Sequence, residues 1–234
     1  MTKEKHNNTH ACGLSHKGCV SLVPIFNHLD ADQMDEIMQV VQSQSYKKGE
    51  LVYRAGDTSN VLNIVNKGSL RIYRLSESGK EQIVRVLKPG EFTGELALFN
   101  ETVHEHFAEA MEETSVCQIT RESLQDLLVK YPSISLKVLQ ELSTRVDQSE
   151  QQATRFTTES TEQRLAFYLV DLLGPDSDTD IVTLPLTKKD LASYIGTTPE
   201  TVSRKLKELE EMDLIKRISS SKIKILDEDR LLFL

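Results

Sequence analysis

The spacing of apolar residues along the chain changes period several times, and each change marks a different kind of element. Residues 1–22 are polar and rich in histidine. Such a segment predicts an arm that stays poorly ordered unless its cysteines or a ligand tie it down. Val23–Leu29 leads into a stretch where Met34, Ile37, Met38 and Val41 form an apolar stripe at helical spacing, with Asp30 or Asp32 as N-cap. From about Tyr46 to Ile119 the period shortens. Leu51–Tyr53, Val61–Val65, Leu70–Tyr73, Ile83–Leu87 and Val116–Ile119 read as short strands. Gly49, Gly56–Asp57, Lys67–Gly68, Ser78–Gly79 and Pro89–Gly90 separate them as turns. Turns at roughly 8–12-residue spacing argue for a small barrel or roll.

The helical period then returns. Thr120 caps a short helix with Leu124, Leu127 and Leu128 inward, ending near Tyr131–Pro132. A long helix is predicted from Ile134 to about Thr158. On it Leu139, Val146 and Ala153 are spaced by seven, as are Leu142, Ser149 and Phe156. Two interlocked heptad rows make a seam, buried either against the chain's own core or, the favoured case, against a parallel partner helix. Ser160 and Gln163 have the spacing of a capping box for the next helix, which carries Leu165, Phe167, Tyr168, Leu169 and Leu172. Gly174–Asp180 reads as a loop.

The stretch Leu186–Leu209, LTKKDLASYIGTTPETVSRKLKEL, carries the strongest local signal. Leu191, Ala192 and Ile195 share one face of a first helix, and Val202, Leu206 and Leu209 one face of a second. Thr187 caps the first, Gly196 makes the turn, and Thr198 with Pro199 starts the second. That pattern predicts a helix-turn-helix whose second helix enters the major groove of DNA. The bland alternative is an αα-hairpin inside a helical domain. Thr198, Pro199, Glu200, Ser203, Arg204, Lys205 and Lys207 are the candidate DNA-binding residues. A carboxylate accepts from cytosine N4, an arginine forks onto guanine, and lysines suit phosphates. Leu214–Leu226 adds two strand-like runs about Ser219–Ser221, a wing with Lys216, Arg217, Lys222 and Lys224.

Composition alters this picture in two places. The net charge of −8 over 234 residues excludes a basic nucleic-acid coat, yet Thr183–Leu226 holds nine Lys/Arg against six Asp/Glu. DNA binding needs only that local excess. The three cysteines, Cys12, Cys19 and Cys117, include no CxxC. No apolar run approaches the roughly 20 residues of a membrane helix, and the N-terminus lacks an apolar signal core. A cytoplasmic protein is therefore expected, whose cysteines serve redox or metal chemistry rather than a structural staple. No HExxH or nucleophile–base signature points to an enzyme.

Roll, long helix and winged helix-turn-helix in this order resemble the CRP/FNR family of bacterial transcription regulators. Three segments carry the resemblance: KKGELVYRAGDTSNVLNIVNKGSLRIYR looks like the opening of the family's roll, PGEFTGELALF its glycine–glutamate segment, and PETVSRKLKELEEMDLI its recognition helix. The resemblance implies an α+β fold in four parts. These are a Cys/His-bearing arm (1–22), a β-roll of the cyclic-nucleotide-binding type (23–132), a dimerisation helix (133–159) and a C-terminal winged helix-turn-helix (160–234). It also implies a homodimer, with RNA polymerase as a further partner. Glu200, Ser203 and Arg204 match the E-x-x-S-R of the FNR type. The CRP type has arginine and glycine where this chain has Pro199 and Ser203. A TTGAT…ATCAA-like palindrome is the implied operator. In relatives that bind cyclic AMP, an Arg–Ser pair clamps the phosphate. The aligned positions here are Glu105 and His106, which argues against that ligand. Glu95 is then expected to satisfy backbone or a basic side chain, with Leu96 and Leu98 in the core. FNR itself holds an iron–sulfur cluster on three N-terminal cysteines and one in the roll. Cys117 matches the roll cysteine, but Cys12 and Cys19 leave the ligand set one short, to be made up by a carboxylate, His10 or His16. FNR-like proteins of lactic-acid bacteria, which this chain also resembles, have few cysteines and switch by thiol–disulfide chemistry or metal. Zinc held by Cys12, Cys19 and Cys117 with His6, His10 or His16 is the metal alternative.

Overall fold

The computed structural model describes residues 21–95, 99, 102–173 and 179–234. The expected arm, with Cys12, Cys19 and its histidines, lies outside the described residues. So do Leu96, Leu98 and most of the Gly174–Asp180 loop.

Helix α1 (Ala31–Val40) starts at Asp30, whose carboxylate accepts from the Gln33 N–H while the Gln33 amide accepts from Asp30 N–H. Ten strands follow: β1 (Gln42–Tyr46), β2 (Leu51–Tyr53), β3 (Thr58–Ser59), β4 (Val61–Lys67), β5 (Leu70–Leu75), β6 (Glu81–Leu87), β7 (Phe92–Thr93), β8 (Thr102–Val103), β9 (Phe107–Ala110) and β10 (Thr114–Thr120). Two antiparallel sheets result, ordered β1-β10-β4-β7 and β2-β9-β5-β6, with β3 paired to β8. Alternation along the strands explains the layers. Val65 and Val116 point between the sheets with Tyr46, Leu70, Ile72 and Leu87. Leu62, Ile64, Cys117 and Ile119 point the other way, onto helices.

Those helices are α1, α2 (Arg121–Lys130) and the start of α3 (Pro132–Thr158). Thr120 caps α2 by accepting from Ser123 N–H. Ile134 and Val138 are the buried residues of α3. Leu142 is half-buried against the same core. Leu139 and Val146 are 60% and 57% exposed, and Ala153 and Ser149 also face solvent. The first heptad row is therefore not covered by the chain's own core.

Ser160 and Gln163 form the reciprocal capping pair, at 2.7 and 3.2 Å, that opens α4 (Thr161–Leu173). Then come β11 (Ile181–Thr183), α5 (Lys188–Ile195), α6 (Pro199–Glu211), the hairpin β12 (Ile215–Arg217) and β13 (Lys222–Ile225), and α7 (Glu228–Leu232). β11 joins the hairpin as a third strand, in the order β11-β13-β12. No described helix is long and apolar enough to cross a membrane.

Candidate nucleic-acid interface

The helix-turn-helix is built from local chemistry. The Thr187 hydroxyl accepts from Asp190 N–H at 3.2 Å, setting the start of α5. Gly196 ends it at φ +74°, and a Cβ there would lie 2.8 Å from the Phe156 ring. Both demands select glycine. The Thr198 hydroxyl accepts from Thr201 N–H at 3.3 Å, and Pro199 takes the first helical position of α6. Burial of Val202, Leu206 and Leu209 then fixes the rotation of α6. Glu200, Ser203, Arg204 and Lys207, spaced three, one and three apart, come together on the opposite face.

That face is open. The side chain of Arg204 is 67% exposed, with Glu208 at 3.7 Å, and that of Lys207 is 69% exposed, with Glu211 at 3.2 Å. Solvated pairs of this kind are worth little, so both cations can exchange their partners for phosphate or a base edge. Lys205 departs from expectation. It turns back toward α4, reaching Glu208 at 2.5 Å and Glu162 at 3.6 Å, and hydrogen bonding to Glu208 raises its pKa. It lies one position before buried Leu206 and three after buried Val202, on the flank of the core face rather than the outward one.

In the hairpin Lys216 stands opposite Lys224. Arg217 is engaged internally: its Nε donates to Glu210 at 2.7 Å and its N–H to the same carboxylate at 3.0 Å, holding Glu210 below the usual carboxylate range. Arg217 thus ties the wing to the end of α6. Lys188 and Lys189, absent from the candidates above, are exposed in the first turn of α5. The first helix of this motif crosses the DNA backbone. Their signal was the Lys–Lys pair directly after the Thr187 cap.

Phe156, of the second heptad row, has a contact within the chain that its heptad position does not predict. Its ring sits against Gly196, with the Arg164 guanidinium 5.3 Å from its centroid. Arg164 donates to the Ile195 and Glu159 carbonyls at 3.0 and 2.7 Å. The end of α3, the start of α4 and the turn are thereby joined.

In the roll, Glu95 accepts from Arg145 of α3 at 2.8 Å and lies 3.4 Å from Arg85. Arg145 also donates to the Phe92 carbonyl at 3.1 Å and covers its ring at 4.0 Å. Glu105 pairs with Arg74, whose Nε donates to His106 at 2.8 Å. His104 stacks on Tyr53 at 3.7 Å, and burial lowers the pKa of both histidines. The Tyr53 hydroxyl, 2.7 Å from that of Thr93, is pushed up to about 12 by burial. All of these groups except Arg74 and Phe92 line one side of a cavity of about 920 Å³ between the roll, α3, α4 and the helix-turn-helix. Arg85 and Arg145 there already face Glu95, and Glu105 and His106 stand on the same wall, a poor setting for a phosphate.

Cys117 is fully buried on β10 and disulfide-bonded, with the Ser43 hydroxyl 3.6 Å from its sulfur. Both other cysteines lie outside the described residues. Among the described residues no three His, Cys, Asp or Glu side chains are grouped to hold a metal.

Residues 43–131 match the family described as cyclic nucleotide-binding domain, and residues 163–234 the Crp-like helix-turn-helix domain. The chain is 36% identical over 211 residues to the probable transcriptional regulator flp of Lacticaseibacillus casei, covering 90% of this chain and 95% of that protein. The chain belongs to the CRP/FNR family of transcription regulators. Another CRP/FNR relative is the transcriptional activator protein Anr of Pseudomonas protegens, 30% identical over 90% of this chain and 86% of its own. Among solved structures, FixK2 from Bradyrhizobium japonicum superposes with a TM-score of 0.75 at 26% identity, over 83% of this chain and 97% of that one. The CRP/FNR chain described here is therefore a DNA-binding transcription regulator and not an enzyme.

Proposed function

We propose that this chain is a cytoplasmic, homodimeric regulator of the FNR type that reads a TTGAT…ATCAA palindrome and responds to redox state through Cys117. The observation that carries the DNA reading is the open face of α6, where Glu200, Ser203 and Arg204 stand within one turn of each other. Glu200 and Arg204 would read base edges, and Ser203 either a base or a phosphate. Lys207, Lys188 and Lys189 would hold phosphates, and Thr198 and Pro199 set the start of the helix. Exposure of Leu139, Val146 and Ala153 along one line of α3 supports a partner helix. Half-sites about one helical turn apart follow from two-fold symmetry. RNA polymerase is the proposed protein partner at promoters. The division at 1–22, 23–132, 133–159 and 160–234 is the proposed domain plan.

For the sensor, the disulfide at Cys117 supports thiol–disulfide chemistry, with an iron–sulfur cluster or zinc on the same cysteines as the alternative. Cys117 shares its core with Ile134 and Val138 in the first turns of α3. A bond from Cys12 or Cys19 would close a loop of about a hundred residues, for which chain entropy allows roughly 4–5 kcal/mol. Allosteric coupling typically needs about 1–3 kcal/mol. Strain or release beside Ile134 is thus placed to alter α3 and the angle between two recognition helices. The test compares operator binding by oxidised and reduced protein, wild type and Cys117→Ser, with chelator as a third arm. The wild type should change affinity about tenfold or more, and Cys117→Ser should not respond. A Cys117→Ser protein that responds like wild type would leave Cys117 as a core residue only.

A further inference from the structure

The first helix of the helix-turn-helix is fastened to the roll of its own chain. Arg71 of β5 is mostly buried and lies at the centre of three carboxylates. Its guanidinium donates to both oxygens of Glu109 at 2.9 and 3.1 Å, to Glu81 at 3.0 Å, and to Asp190 of α5 at 3.0 Å. Asp190 also accepts from the Thr187 hydroxyl at 2.6 Å, so the ion pair reaches the cap of α5 directly.

One turn further along α5, Ser193 meets β6, the edge strand of its sheet. The Ser193 hydroxyl donates to the Glu81 carbonyl at 2.7 Å and accepts from Ile83 N–H at 3.0 Å. The Gln82 amide donates to the Ser193 carbonyl at 2.7 Å. Between these polar contacts Tyr73 and Ile83 of the roll share one buried cluster with Leu191, Ala192 and Ile195. An edge strand leaves backbone groups unpaired, and here α5 satisfies two of them.

We propose that Arg71 is a positioning residue for DNA recognition. With Asp190 and Ser193 it clasps the helix-turn-helix to the roll in the orientation in which α6 meets DNA. This rests on the DNA-binding reading above. Two observations set the direction of the effect. The clasp engages α5 through Asp190 in its first turn and Ser193 one turn on, yet Lys188 and Lys189 of that first turn stay exposed, and it leaves Glu200, Ser203, Arg204 and Lys207 uncovered. Docked domains otherwise move, and each of two half-sites would have to order a loose unit on binding. A clasp that holds the unit beforehand removes that cost. Arg71 is its keystone, because without it Asp190 faces Glu81 and Glu109, like charges with no counter-ion between them.

The test uses the full-length protein and two readouts. Amide exchange at Ile83 reports the clasp, since its N–H is bonded across the interface. Binding to the palindrome and to scrambled DNA reports the consequence. In Arg71→Gln and in Ser193→Ala, Ile83 exchange should rise about tenfold while amides of β4 and β10 keep their protection. Palindrome affinity should fall about tenfold and scrambled-DNA affinity stay within roughly twofold. Arg71→Lys, which keeps the charge but not the fork, should recover part of the loss. Unchanged Ile83 exchange in both variants would overturn the clasp. Faster exchange with equal or tighter palindrome binding would overturn its positioning role. A wild type that fails to discriminate the palindrome would instead sink the operator assignment, and the affinity arm would then be run on the sequence that selection from random DNA returns.

Discussion

In the roll and where α3 packs on it, Arg71, Arg74 and Arg145 each meet carboxylates contributed by distant parts of the chain, and two of the three side chains are 14% exposed or less. On α6, Arg204 and Lys207 stand in solvent with one carboxylate each from the next turn of their own helix. The two regions contain the same residue types and use them for different ends. Charges neutralised by long-range partners hold a geometry, and losing one partner strands the other in a partly buried site. Charges left in water with weak local partners are free to be neutralised by something else. Sign and number of charges do not separate the two cases; burial of the pair does, and Arg74, long-range in sequence but half-exposed, falls with the solvated pairs.

The sharpest way to break that comparison is to remove the proposed seam on α3, which would bring two open faces to one DNA. Val146→Glu would place like charges opposite each other in a dry interface. It should give monomers in the ultracentrifuge and drop operator binding to the non-specific level, roughly a thousandfold or more. A dimer of unchanged stability would place the interface elsewhere.

Next in size is Arg204→Ala. Titration against palindrome and scrambled DNA should show a loss of about 1–3 kcal/mol per half-site, with the scrambled curve nearly unmoved. Equal loss on both DNAs would make Arg204 a phosphate contact rather than a reader of bases.

Arg145→Met tests the other side of the comparison. It removes the nearer of the two cations beside Glu95 and the partner of Glu141, leaving Glu95 only the longer contact to Arg85, and should lower stability to denaturant by about 1–3 kcal/mol. Arg204→Ala should leave that stability within about 0.5 kcal/mol.

The smallest effect separates two neighbouring lysines. Lys207→Ala should reduce the slope of log affinity against log salt by about one per protomer. Lys205→Ala should leave the slope alone, because Lys205 already faces Glu162 and Glu208.

The same division explains what could be read from the sequence. The helix-turn-helix was legible because Thr187, Gly196, Thr198 and Pro199 act within four residues of the groups they serve. Longer strands of the roll were legible through alternation, as in Val61–Val65 against Val116–Ile119. Strand β1, QSQSY, was not, since it is an edge strand with only Tyr46 buried. Strand β9 hides inside an acidic stretch because its inward residues are Ala108 and Ala110, too small to mark a core. The Arg71–Asp190 contact joins residues 119 apart, and no local pattern announces it. Lys205 groups in sequence with Glu200, Ser203, Arg204 and Lys207, although its position against Val202 and Leu206 puts it on the core flank, where it meets Glu162 and Glu208. Phe156 fits a heptad, but its packing against Gly196, 40 residues away, has no local signal, and it leaves the residue 37% exposed.

The central claim is that Glu200, Ser203 and Arg204, presented twice by a symmetric dimer, choose the DNA sequence. Selection of binding sites from random duplex DNA by the purified protein, reduced and oxidised in parallel, tests it most directly. The account predicts enrichment of a TTGAT…ATCAA palindrome with half-sites about one helical turn apart. Enrichment of a TGTGA…TCACA palindrome, of single half-sites, or of no sequence at all would contradict it.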